Sequence, residues 1–140
     1  MRRWCLIMLF VCAVTNSSYA QDTRHSVRIT ITGVAGKGDI FVSLVDRKTF
    51  GTPYKGVRNA IIHGPSEEET ICFTDILAGR YGVRCFQDVN GNKELDRGLL
   101  GPQEPWALSW QGKRSFPPSF DDIAFSNRDG DVFITLRLDK

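Results

Sequence analysis

Thr70-Ile71-Cys72-Phe73-Thr74-Asp75-Ile76-Leu77-Ala78-Gly79-Arg80-Tyr81-Gly82-Val83-Arg84-Cys85-Phe86-Gln87 reads as two strands joined by a turn. β-branched and aromatic residues crowd both flanks, and Leu77-Ala78-Gly79-Arg80 breaks the run between them. Ile71 and Phe73 share one face of the first strand, while Tyr81, Val83 and Cys85 share one face of the second. The first alternation turns Cys72 outward and the second turns Cys85 inward. Opposite faces cannot be bridged without backbone movement, so the parity argues against a Cys72–Cys85 disulfide unless a bulge reverses it.

Upstream, Val27, Ile29 and Ile31 alternate with Arg28, Thr30 and Thr32, and the segment Gly33 to Gly38 turns the chain into a strand over Asp39 to Val45. Phe50-Gly51-Thr52-Pro53-Tyr54 reads as a loop. Val57 to Ile62 is the next strand, and Gly64-Pro65 and the acidic Glu67-Glu68-Glu69 separate it from Thr70. Downstream, Asp122 to Ser126 and Val132 to Leu138 are expected to pair through an Arg128-Asp129-Gly130 turn. Nothing in the chain carries a convincing helical stripe. The expectation is all-β: a single antiparallel β-sandwich of about seven strands, residues 21–140, with one long loop. That loop, Asp88 to Phe120, shows no clear strand of its own, yet Trp106, Trp110, Phe116 and Phe120 argue that it folds over one end of the sandwich.

Residues 1–20 read as a cleavable signal peptide: Arg2 and Arg3, an apolar run from Trp4 to Val14, then Ser18-Tyr19-Ala20 as the cleavage site. The run is too short to span a bilayer, so no membrane insertion is expected after cleavage. Cys12 follows Leu9-Phe10-Val11 rather than the small residue a lipid-attachment site wants. The whole chain has 18 basic and 16 acidic residues, and Arg2 and Arg3 account for that excess. A neutral mature protein without a Lys/Arg cluster offers no footprint for nucleic acid. The product is expected to be exported, periplasmic or extracellular.

Phe73 to Val83, then Asp88-Val89-Asn90-Gly91-Asn92 with Asp96, then Leu100-Gly101-Pro102-Gln103-Glu104-Pro105, then Pro118-Ser119-Phe120 and Ala124-Phe125 follow one another over most of the mature chain. This order resembles an exported bacterial family catalogued as domain of unknown function 2141. Its pattern runs from F-x-x-L-x-x-G-x-Y through D-x-N-x-N-G-K-x-D to a late P-x-F. The resemblance implies export and an immunoglobulin-like or transthyretin-like sandwich, with no established activity. Lys93-Glu94 departs from the family's Gly-Lys, and Trp106 to Trp110 from its Gly-Phe-Ser-Asn phrase.

Asp88, Asn90 and Asn92 place oxygen-bearing side chains at alternate positions, and Asp96 adds a carboxylate four residues on. Calcium favours such a grammar, with the Glu94 carbonyl completing much of the shell. A helix-loop-helix site is excluded, because Lys93 replaces its sharp-turn glycine and Leu99 its twelfth-position chelator. A looser calcium loop therefore stands beside a second reading, in which Asp and Asn cap turns through their own backbone. Trp106, Trp110 and Phe116 likewise carry two readings: a stacking platform for a flat ligand, or rings that bury themselves to hold the loop down.

His25 and His63 have no nucleophile or metal partner at sequence spacing, and no phosphate loop, activated-serine motif or zinc spacing occurs. The leading functional reading is an exported, non-catalytic binding or interaction module of the cell envelope. A calcium-stabilised loop would hold the aromatic segment for a glycan, peptide or envelope protein. The alternatives are an extracytoplasmic enzyme such as a hydrolase, and a purely structural envelope accessory that pairs through a sheet edge.

Overall fold

The computed structural model describes residues 22–139, so the expected signal peptide and cleavage site, and Cys12, lie outside the described residues. In chain order the elements are β1 (Arg24–Thr32), β2 (Asp39–Val45), β3 (Arg58–Ile62), β4 (Glu69–Leu77), β5 (Arg80–Asp88), β6 (Arg97–Gly98), β7 (Gly101–Pro102), β8 (Trp106–Leu108), α1 (Phe120–Ile123), β9 (Phe125–Ser126) and β10 (Val132–Arg137). Two sheets carry the fold. The first has the order β10-β1-β4, the second β3-β2-β5-β8 with β9 also on β5, and β6 and β7 form a separate two-stranded ribbon.

The alternation read from the sequence sets the inner faces. Val27, Ile29 and Ile31 of β1 are fully buried, and Phe73, Ile76 and Leu136 join them from the neighbouring strands. Ile40, Val42 and Leu44 of β2, Tyr81, Val83 and Cys85 of β5, and Ala107 of β8 meet them from the second sheet in one core. Cys72 is exposed and Cys85 buried, and both are free thiols. β4 keeps its inward set in phase through a bulge: two residues, Thr74 and Asp75, oppose the single Ser26. Asp75, one of the two, takes a left-handed φ of 60°.

The two runs quoted at the outset do not pair with each other. β4 bonds to β1 in the first sheet and β5 to β2 in the second, so Leu77-Ala78-Gly79-Arg80 is a crossing between layers. Asn127 stabilises this crossing from a fully buried position: its Oδ1 accepts the Gly79 N–H at 2.7 Å and its Nδ2 donates to the Leu77 carbonyl at 3.1 Å.

Three expectations are corrected. Asp122 to Ser126 is not a strand throughout, because Phe120–Ile123 closes one helical turn and only Phe125–Ser126 is extended. Nor does this segment pair with the last strand: β9 joins β5, while β10 lies parallel to β1. Alternation specifies a strand's faces but not its direction, so the parallel pair left no trace in the periodicity. Finally, the segment after Asp88 contains β8, which extends the second sheet, and it covers that sheet's outer face rather than an end of the sandwich. Trp106 also exchanges backbone hydrogen bonds with Asp139 at 3.0 and 3.1 Å, which links the two sheets along one side.

Candidate functional site

β5 is buried on both faces. Its outward residues Arg84 and Phe86 lie beside Ser43 and Phe41 of β2 and Leu108 and Trp106 of β8, so the outer face of the second sheet is a floor of side chains. Phe41 and Phe86 stack with centroids 5.0 Å apart, and Tyr54 meets Phe86 edge-on at 6.1 Å. Such pairs add order to the floor beyond what burial alone gives.

Three loops raise walls on this floor. The first runs between β2 and β3, and Arg84 fastens it by donating to the carbonyls of Phe50 (3.1 Å), Thr52 (2.6 Å) and Lys55 (2.9 Å). The second follows β5, and the third carries Phe116 and Pro118. Between them lies a groove of about 500 Å³, lined by Phe41, Phe50, Tyr54, Phe86, Trp106 and Phe116 among others. This is the size of a small-molecule site, with the apolar lining such sites have. A neighbouring hollow of about 580 Å³ lies at the seam between β8 and β10, and Trp106, Trp110 and Phe116 all line it. The three sequence-singled aromatics thus come together. Trp106 and Phe116 border both hollows, Trp110 borders only the second, and Phe116 is 74% exposed.

The Asp88 loop forms the groove's second wall through Lys93, Leu95 and Arg97. Asp88 is buried, and its Oδ1 accepts the N–H groups of Gly91 (2.7 Å) and Asn92 (3.1 Å), while Oδ2 accepts that of Lys93 (2.8 Å). Three of the roughly four lone-pair sites of its carboxylate are therefore spent on the turn. Asn90 and Asn92 also cap locally, their Oδ1 atoms accepting from Asn92 N (3.1 Å) and Glu94 N (2.9 Å). Their amide nitrogens both donate to Asp96, one to each carboxylate oxygen. Glu94 itself is exposed.

The fit to a hard cation is partial. Asn90, Asn92 and Asp96 already converge, and an amide rotation would present oxygens in place of nitrogens. Asp88 mainly shapes the backbone. Among the described residues no three His, Cys, Asp or Glu side chains assemble as a metal set.

Glu104 and Tyr54 tie this loop to the rest. Buried Glu104 accepts the Val89 N–H at 2.8 Å, and the Tyr54 hydroxyl accepts the Leu95 N–H at 3.0 Å. Behind them Gln87 is fully buried and uses its amide on the β1–β2 connection, accepting from Ala35 N (2.7 Å) and donating to the carbonyls of Ala35 and Lys37 (3.0 Å each). Sequence reasoning missed Gln87, Glu104 and Arg84, whose partners are backbone atoms of remote loops. The available signal was Cys85-Phe86, two adjacent apolar residues that break alternation as strands covered on both faces do.

Outside the groove, both histidines sit beside carboxylates. His63 Nδ1 lies 2.7 Å from Asp39 on the surface, and His25 Nδ1 lies 3.9 Å from Asp131. Asp121 bonds Arg47 and Arg80, whose guanidinium groups also lie over the Phe120 ring at 5.0 and 5.9 Å. Asp122 instead accepts from the Ser115 and Ser119 hydroxyls, both at 2.7 Å. The adjacent acids therefore serve separate contacts.

A bacterial family, described as an uncharacterized protein conserved in bacteria and numbered domain of unknown function 2141, has a sequence profile that matches residues 29–135. The chain belongs to this family. The match runs from β1 into β10 and so contains the groove, the Asp88 loop and all three walls. Neither a curated protein nor a solved structure matches the chain. Membership therefore brings a fold-sized sequence pattern and no activity with it.

Proposed function

We propose that this protein is an exported, non-catalytic binding module of the bacterial cell envelope, and that its ligand lies in the aromatic groove on the outer face of the second sheet. The single observation that supports this reading is the groove itself: about 500 Å³, floored by stacked rings on a central strand and walled by loops that buried polar anchors hold in place. A preformed apolar hollow on rigid strands lowers the ordering cost of binding. A ligand with a flat or apolar face, a sugar ring or a peptide side chain among them, would stack on Phe86 and Trp106. The measurement is Trp fluorescence of the mature protein titrated with envelope glycans and peptides. Saturable quenching that Trp106→Ala weakens by about tenfold, the loss of one stacked ring, is the expected result. No saturable response from any member would remove the groove as a binding site.

In the same reading, the loop at 88–96 takes calcium through Asn90, Asn92 and Asp96, which stiffens the groove's second wall. Calorimetry with millimolar calcium should then show saturable heat and a raised melting temperature, both absent in Asp96→Asn. Heat that survives Asp96→Asn, or none in the parent, returns the loop to turn chemistry alone.

A further inference from the structure

The groove's charge is one-sided. Arg84, Lys93 and Arg97 line it, and no Asp or Glu does. Among the described residues none of these three cations has a carboxylate partner at ion-pair distance; Lys93 and Arg97 share that with other exposed cations such as Arg28 and Arg58, whereas Arg84 is half-buried. Arg84 is the least comfortable of the three. The carbonyls of Phe50, Thr52 and Lys55 satisfy part of its donor fork, but they supply no counter-charge and do not exhaust the fork. Burial holds its guanidinium below the ordinary arginine value; Tyr54 acts against this and the like charge of Arg97 adds to it. A half-buried cation is normally matched by an anion, because desolvation without a partner is costly. Here two guanidinium groups and an ammonium group face one apolar hollow with none.

We propose that the groove takes a compact amphiphile, with an apolar body that stacks on Phe86 and Trp106 and a single anionic end group, carboxylate, sulfonate or phosphate, that lies among Arg84, Lys93 and Arg97. This rests on the groove being the binding site. It gives a role to three cations without a carboxylate beside them in a largely apolar groove: the apolar body gives affinity, and the charge selects the ligand and orients it.

Two dyes that differ only in charge test it: anilinonaphthalene sulfonate, and N-phenylnaphthylamine, the same ring system without the sulfonate. Each is titrated into the mature protein, and weaker binding in Phe41→Ala, a residue that lines this groove and not the neighbouring hollow, places the dye in the groove. The expected result is about tenfold tighter binding of the sulfonate, the scale of one charge-assisted hydrogen bond. Arg97→Gln should bring the sulfonate's affinity down to that of the uncharged dye. The melting temperature confirms that the variant folds, and Lys93→Gln serves as a second variant that leaves the Arg84 clasp untouched. Equal affinities, or a preference that survives both variants, would overturn the anionic ligand while leaving the groove as an apolar site. Absence of binding by either dye would sink both readings together.

Discussion

Asp88 and Lys93 show how one carboxylate fixes a wall of the site. Lys93 takes a left-handed φ of 65°, where glycine is cheaper, at the position where the family pattern departs from its glycine. Asp88 offsets that cost by accepting the Lys93 N–H together with those of Gly91 and Asn92. Asp88→Ala should therefore destabilise the fold by about 2 kcal/mol, as loss of a multiply bonded cap does, with or without calcium. Urea unfolding measures it; an unchanged midpoint would show that the turn holds without its cap. The Asp/Asn spacing made this turn legible, because the capping partners lie within five residues. Gln87 and Asn127 were not legible: each is a buried polar side chain whose partners lie far away in sequence.

Elements with a long alternating pattern were readable, and short ones were not. β1, β2, β4 and β5 each run seven to nine residues, enough for period two to declare itself. β8 has three residues, β9 two and α1 four, too few for any period. The α1 turn is held instead by Asp122, which accepts the Ser119 N–H at 2.8 Å and two hydroxyls. The Ser115 and Ser119 bonds hold its carboxyl below the usual carboxylate range, and Arg47 with Arg80 does the same for Asp121. A depressed folded-state value means a contribution fully present above the unfolded carboxylate range and lost as pH falls through the folded one. Melting temperature should accordingly decline in acid below about pH 4, the unperturbed carboxylate value, and part of that decline should vanish in Asp122→Asn. Parallel acid profiles for parent and variant would remove Asp122 from the account. Asp121 is exposed and Asp122 partly so, and the effect is small.

At the scale of the molecule, the two sheets separate the cysteines as the parity reading expected. Cys72 points away from the core on β4, and Cys85 points into it on β5, with its thiol pushed up to about 12 by burial. Forming a disulfide would require β5 to turn its inner face outward, which would expose Tyr81, Val83 and Gln87 with Cys85. Among the described residues the fold therefore keeps two free thiols, one exposed and one buried, of very different reactivity. A thiol reagent should label Cys72 at once in the mature protein, and Cys85 only as fast as the sandwich opens, since the thiolate must form and be reached. Cys85 labelling should then slow whenever a groove ligand or calcium stabilises the fold, which turns this buried sulfur into a reporter for both proposals without any change to the chain. Rapid labelling of both thiols in native buffer would mean that the second sheet opens locally around β5. The groove's floor would then lack the rigidity on which ligand binding depends.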